Sequence, residues 1–554
     1  MKKKNILAFA AMMLSCALYA QTDSLRAVVN VSNEYNPVQI NVNKRNFTPT
    51  ISNHTQTSTP EYEFTTAAMP YRGFVSERYT QELLPGQEQP YNGYVRLGYG
   101  ITNELDLKAC YGMDITERDN IRFAASMDGF KKELDGMYNK WDSRMYNSAV
   151  DLGYTHTFNK LWLNVAGDFN NRVFNYQNAG SSQLVTDKQN SKNYGLRVKG
   201  ASTAGDGYGY SFNSAFTHNS RKYSTGIADG IAENRINAGG GAWYDIDNSE
   251  LRRVGIRIDA DMFMYNGNLR NSTFGYDNYS SVDIDPYLDF VFGAWDLRLG
   301  TRMNIATANG SVFAIAPDIK LKSSIADNAI LYVKATGGRT DNNFSHLESI
   351  TPYWGFDNKV SRQLKPTYKV IDATAGSTMT FAPLSIDVAA GYVYTKDDLL
   401  QQVDVLETIS HHAFYVYSNF AQKNTHDAFI TARAGYDHGG WLKVAADVRY
   451  DYWECDNHDL LVLNPELTFN INAEAKPLRG LTINAGYNFT RFTESEDDTR
   501  VFDRNDLSLR ASYDIKPWLG AYIQGNNLLN KKYYQYAGYL TRGVHGVIGL
   551  TANF

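Results

Sequence analysis

The sequence has little cysteine, little proline beyond its first ninety residues, no marked excess of either charge and no long apolar run after its first twenty residues. There are 3 Cys in 554 residues, at Cys16, Cys110 and Cys455, too few for a disulfide scaffold. With Lys+Arg at 54 and Asp+Glu at 59, the formal net charge is -5, and there is no basic stripe of the kind nucleic acid requires. No stretch of about 18 apolar residues follows the leader, which excludes a transmembrane helix. Six of the 14 Pro, from Pro37 to Pro90, crowd into the segment before residue 91, so regular strands are expected only after it.

Aromatic residues and glycine are abundant instead: 39 Tyr, 43 Gly, and 13% Phe, Trp and Tyr. A membrane barrel uses tyrosine twice, in its interfacial girdles and in its polar loops and lumen. The mean hydropathy of -0.43 is that of a soluble protein. A barrel gives the same average, because half of each strand faces a polar interior.

The first twenty residues have the pattern of a secretory leader. Lys2, Lys3 and Lys4 form the positive start, Ile6 to Leu18 the apolar core, and Ala20-Gln21 the expected cleavage site. Cys16 raises the alternative of a lipoprotein, but Met13-Leu14-Ser15 is a poor lipobox. Residues 21–90 are expected to be an irregular periplasmic or lumen segment, and 91–554 the barrel.

From about Tyr94 the chain repeats one unit, roughly ten residues of alternating apolar and polar side chains followed by a turn. In 481–490, Leu481, Ile483, Ala485, Tyr487 and Phe489 oppose Thr482, Asn484, Gly486, Asn488 and Thr490. In 506–515, Leu507, Leu509, Ala511, Tyr513 and Ile515 oppose Asp506, Ser508, Arg510, Ser512 and Asp514. In 254–264 the apolar face opposes Arg257, Asp259 and Asp261, charges in series that suit a water-filled lumen. A soluble sandwich or propeller also alternates, but its strands cluster near five or six residues, and no motif recurs at propeller spacing. The pattern predicts an all-β transmembrane antiparallel barrel of about 22 strands, with 20–22 plausible. Short turns at Ala382-Pro383, Lys476-Pro477-Leu478 and Lys516-Pro517-Trp518 should be periplasmic. Longer stretches near 131–144, 175–192, 221–233, 265–280, 342–367, 395–412 and 493–503 should be extracellular. The turn at Ile101–Glu104 is short enough to belong to either side.

The most specific stretch is Ile523-Gln524-Gly525-Asn526-Asn527-Leu528-Leu529-Asn530-Lys531-Lys532-Tyr533-Tyr534. It resembles the penultimate strand and loop of TonB-dependent receptors, with Tyr536, Gly538, Tyr539 and Gly543 in the loop and Gly546–Phe554 as the final strand. Leu364-Lys365-Pro366 resembles that family's entry to a mid-barrel strand, although Thr367 stands where a Glu is usual. Tyr392-Val393-Tyr394-Thr395-Lys396 resembles the outgoing strand that follows. The resemblance is good over roughly 330–554 and holds by pattern alone over 94–330. It implies solute uptake across the outer membrane. The chain departs from the family before residue 91, where the segment is too short for the usual plug domain. Asn33-Glu34-Tyr35-Asn36-Pro37 through Lys44-Arg45 and Pro49 resembles the start of plugless barrels of this type from Bacteroidetes. Ala27-Val28-Val29-Asn30-Val31 vaguely resembles a TonB box, which would pair with TonB by strand addition.

No arrangement of residues suggests an enzyme or a cofactor. His411-His412, His426-Asp427, Asp437-His438 and His458-Asp459 catch the eye, but adjacent strand residues point to opposite faces, and His438 and His458 fall at opposite ends of the barrel. Glu494-Ser495-Glu496-Asp497-Asp498 has the donors for Ca²⁺, but a solvated loop is the much better reading. Gly239-Gly240-Gly241 lies inside an alternating run and reads as close packing, not a phosphate loop. Tyr353, Trp354 and Phe356 form an aromatic cluster in the longest external loop and are the candidate ligand contact, against the alternative of loop self-packing or an interfacial girdle. Phe554 is the expected assembly signal for the barrel-insertion machinery, since such barrels generally end in an aromatic residue. The expected partners are outer-membrane lipid, that machinery, and either a surface lipoprotein or TonB. The rival to transport is a structural barrel that docks a lipoprotein or secretion partner.

Overall fold

The computed structural model describes Asn92–Phe554 apart from 137–139, 179–187, 204–206, 223–229, 248, 268–274, 356–362, 408–413 and 496–502. Among the described residues, 22 strands join edge to edge in one closed antiparallel barrel. Each strand pairs with the next in the chain, from Gly93–Gly100 to His545–Asn553, and those two pair with each other to close the ring. Closure is what lipid demands, because an open edge would leave backbone groups unbonded where no water can reach them. Among the described residues no helix is long and apolar enough to cross a membrane.

The alternation predicted from the sequence orients the wall. In the strand Leu251–Tyr265, Val254, Ile256, Ile258 and Met262 are exposed on the outer face, while Asp261 is buried on the inner one. In Arg504–Lys516 the exposed outward set includes Leu509, Tyr513 and Ile515. These exposed aliphatics form the outward band that a bilayer covers. At the short-turn end the band finishes in exposed rings, among them Phe158, Tyr208, Trp295, Phe381, Trp441 and Trp518. That is the aromatic girdle of a membrane interface. The predicted short turns at 382–383 and 517–518 lie at this end, between the strand pairs they join. The ambiguous turn at Ile101–Asn103 lies at the opposite, long-loop end.

The triple glycine sits inside the strand Ile231–Asp245. A Cβ on Gly239 would collide with the Asp259 carboxylate of the neighbouring strand, so the lumen wall there needs a residue without a side chain.

Strand length departs most from expectation at one hairpin. Residues 395–412 carry no clear alternation and were expected to form a loop. Instead Leu384–Glu407 and Phe414–His438 run for 24 and 25 residues, about twice what a bilayer requires. Their register shifts between Thr395 and Asp398, and Asp397 adopts a positive φ of 49°. Such a bulge bends a strand, and here it marks where the hairpin leaves the barrel wall.

Candidate functional site: a roofed lumen

The bent hairpin crosses the barrel mouth. Its Tyr415 and Val416 pair with Asn178 and Gln177, which follow the strand Leu161–Phe174. Those two strands are sixteenth and fifth of the 22, so the contact joins points half-way round the ring from each other.

Two further segments complete a roof. The first is the loop after the strand Ala329–Thr340. Asn343 caps a short helix, Phe344–Ile350, by accepting from the His346 amide at 2.8 Å. Phe344 and Leu347, three apart and so on one helix face, bury into an aromatic cluster with Tyr265, Tyr276, Tyr279 and Trp354. The chain then adds a strand-like pairing to the hairpin: the Ser418 amide donates to the Tyr353 carbonyl at 2.8 Å, and the Gly355 amide to the Ser418 carbonyl at 3.0 Å. The second segment is the loop 527–544. Its Tyr539 ring stacks on Tyr353 with centroids 3.5 Å apart. The Tyr539 hydroxyl donates to the Val416 carbonyl at 2.6 Å and accepts from the Gln177 amide at 3.1 Å. Complete burial pushes the Tyr539 and Tyr353 phenols well above their ordinary range, so both hydroxyls stay protonated, and Tyr539 remains the donor to Val416.

Ionic contacts pin the roof to the wall. Arg221, buried at the end of its strand, donates to the carbonyl of Trp354 at 2.8 Å and to that of Pro352. Its guanidinium carbon lies 4.3 Å from the Trp354 ring centroid, a cation–π contact. The Trp354 indole donates to Glu348 at 2.8 Å, and Glu348 in turn accepts from Arg172 of the wall at 3.0 Å. Tyr176 donates to the Trp354 carbonyl at 2.9 Å.

Beneath the helix lies a cavity of about 570 Å³, within the size range of small-molecule sites. Asn343, Ser345 and His346 of the roof form its ceiling. Four arginines and five aspartates of the lumen wall and loop line the rest, and no aliphatic side chain does. Its polar and charged lining suits it to hold a polar solute.

His346 makes the ceiling sensitive to pH. Burial lowers its imidazole below the ordinary value of 6.5, against the opposing pull of Asp341. The closed roof therefore favours the neutral ring, and a proton is taken up more readily when the roof opens. Stability from this residue is present above pH 6.5 and is lost as the pH falls through that value. Hydrogen exchange across 343–351, corrected for intrinsic rates, should speed up on acidification in the wild type and not in His346→Gln. Equal pH dependence in both would refute the assignment.

No protein-family profile matches the chain, and no curated protein matches it in sequence. Solved structures do. A mutant of the ferric enterobactin receptor PfeA from Pseudomonas aeruginosa is 12% identical, with a TM-score of 0.61, over 83% of this chain and 80% of that one. The FrpB iron transporter from Neisseria meningitidis is 10% identical, with a TM-score of 0.62, over 86% and 83%. The copper transporter OprC is 12% identical, with a TM-score of 0.59, over 85% and 82%. The fold is the 22-strand barrel of TonB-dependent receptors.

The motifs that carried the resemblance have clear structural work. Asn527 and Asn530 adopt positive φ values of 46° and 51°. The buried Asn527 side chain donates to the Lys531 carbonyl at 2.9 Å and accepts from its amide at 3.1 Å, stapling the turn that launches the roof loop. Lys365 exchanges hydrogen bonds with the Gln422 side chain, 2.8 Å from its amide and 2.6 Å to its carbonyl, tying the loop to the crossing hairpin.

Of the candidate ligand contacts, Tyr353 and Trp354 are buried within the roof, 3% and 2% exposed, and they hold it together. Phe356 lies outside the described residues, as do Ala20, Gln21, Ala27–Val31, His411, His412 and Glu496–Asp498. Phe554 is exposed at the short-turn end, its ring stacked on Tyr111 at 6.1 Å. His426 stacks on Tyr394 and His438 on Tyr436, and among the described residues no group of His, Cys, Asp and Glu is placed to hold a metal ion. Sequence reasoning missed Arg221, Arg172, Glu348 and Tyr539 as roof residues. Nothing local marks Arg221, Arg172 and Tyr539, because they meet their partners only across the mouth, and Glu348 stands out only once Arg172 is placed beside it.

Proposed function

We propose that this chain is an outer-membrane barrel that takes up or passes a solute, entry being controlled by the roof. One observation carries the reading. The closed barrel holds a charged, roofed cavity, and the segments that roof it, each an extension of wall strands, are joined to one another across the mouth only by hydrogen bonds and stacked rings. The shared fold with proteins described as iron and copper transporters and a siderophore receptor supports it. Likeness to barrels of the Bacteroidetes type and coupling to TonB through Ala27–Val31 belong to the same proposal.

The rival is a structural barrel that docks a surface lipoprotein or secretion partner. Spent-medium profiling of the parent strain and a strain lacking this protein separates the two. Uptake predicts at least one solute that persists in the medium of the deletion strain and is consumed again on complementation. Identical spent media, together with a stoichiometric protein partner in gentle detergent, would overturn uptake in favour of docking.

A further inference from the structure

The charges that line the roofed cavity are not all matched to one another. Arg235 pairs with Asp261 at 2.7 Å and Arg339 with Asp341 at 3.0 Å, while Arg257 reaches Asp259 at 3.3 Å and Asp285 at 3.4 Å. Arg302 has no carboxylate within ion-pair distance among the described residues. Its hydrogen bond runs from Nη1 to the Gly337 carbonyl at 3.3 Å, and its Nε is buried without a partner. Arg302 packs along Gly338, whose φ of +140° suits a residue without a side chain. Arg339 is 5% exposed and carries a second unbonded donor, Nη2. On the neighbouring strand the imbalance is reversed. Among the described residues Asp283 has no ion pair and accepts one bond, from Asn304 at 2.7 Å. Asp285 keeps Oδ1 buried and unbonded.

Buried polar groups are normally all hydrogen-bonded, and groups left unpaired in a native protein point to something that completes them. Here guanidinium donors and a carboxylate oxygen without bonded partners line one cavity, with Arg302 on the strand next to Asp283 and Asp285 and Arg339 two strands further on. A plain cation would leave the arginines unmet, and a plain anion the aspartates. The absence of aliphatic lining excludes a mainly apolar guest. We propose that this cavity is a binding site for a small zwitterion of the amino-acid or peptide type. Arg302 and Arg339 receive its carboxylate, and Asp283 and Asp285 receive its ammonium group. This rests on the uptake reading and names the solute class that the same cavity accepts.

The test uses the full-length protein, purified in detergent, with triglycine as the probe. Two analogues each lack one charge: N-acetyl-triglycine has no ammonium and triglycinamide no carboxylate. Binding is measured by calorimetry to the wild type and to Arg221→Ala, which removes the roof's bonds to Trp354 and Pro352, so that a closed mouth does not hide the site. Triglycine should bind, and each analogue should bind roughly tenfold more weakly or worse. Arg302→Gln should bring triglycine down to the level of triglycinamide and spare the loss seen with the acetyl analogue. Asp283→Asn should do the converse. Three probes that bind alike, or none that binds to the open-roof variant, would overturn the proposal. Flux of triglycine into proteoliposomes separates this from the uptake reading. Flux without charge discrimination leaves uptake standing and removes the zwitterion site. Discriminating binding without any flux does the reverse.

Discussion

Arg221→Ala should open the mouth of the barrel and raise its conductance in a planar bilayer by about two orders of magnitude. The side chain supplies charge-assisted hydrogen bonds to two carbonyls, Trp354 and Pro352, in a buried site. Such bonds are worth about 1.5–3 kcal/mol each. Their loss, with the cation–π contact to Trp354, shifts the closed-to-open balance by ~3 kcal/mol or more, and each 1.4 kcal/mol is tenfold. The wall is not touched, because the strand Tyr208–Arg221 keeps its backbone pairing on both sides. The variant should therefore remain heat-modifiable on gels while its roof becomes cleavable by added protease. Arg221→Lys, which retains a point charge but cannot serve both carbonyls with a planar fork, should fall between. Unchanged conductance in Arg221→Ala would mean that the roof does not close the barrel. Loss of heat-modifiability would mean that Arg221 holds the wall and not the roof.

Deleting Phe554 should reduce the protein in the outer membrane to a minor fraction of the wild-type level. The residue completes the seam. Its carbonyl accepts from the Gly93 amide at 2.7 Å, and its own amide donates to the Gly93 carbonyl at 3.0 Å. The ring lies where a side chain on residue 93 would be, so Gly93 is the residue that lets it dock. Beyond it, Ile548 and Leu550 share the lipid-facing side, 68% and 52% exposed. Deletion removes both backbone bonds at the end of a closing strand of only nine residues, and takes away the terminal ring that the insertion machinery is proposed to read. Phe554→Tyr should be mild, since the ring and both bonds remain. Gly93→Leu should approach the deletion, because it displaces the ring without altering the terminus. Outer-membrane fractions and periplasmic degradation products measure all three. Insertion of the deletion variant at wild-type level would refute the role.

The barrel was legible in the sequence because lipid and water impose it residue by residue. A strand with lipid on one face and an aqueous lumen on the other must alternate, and Val254 to Met262 or Leu507 to Ile515 do so over their whole length. Closure and strand number follow from counting such units, and the inward charges Arg257, Asp259 and Asp261 were visible as the lumen wall before any tertiary contact was known. The signal fades where the environment that writes it ends. Leu399-Leu400-Gln401-Gln402 shows no period of two, since beyond the bilayer neither face of the hairpin meets lipid, and so a paired strand looked like a loop. The aromatic cluster at Tyr353 and Trp354 was visible as composition, but whether its rings faced a ligand or each other depended on Tyr539, Arg221 and Val416. Those residues lie between 62 and 186 positions away in the chain and meet the cluster only over the mouth. The sequence by itself determined the wall, because each strand answers to its own two solvents. The tertiary structure alone decided the roof and the unmatched charges beneath it, because there the surroundings of each residue are other parts of the same chain.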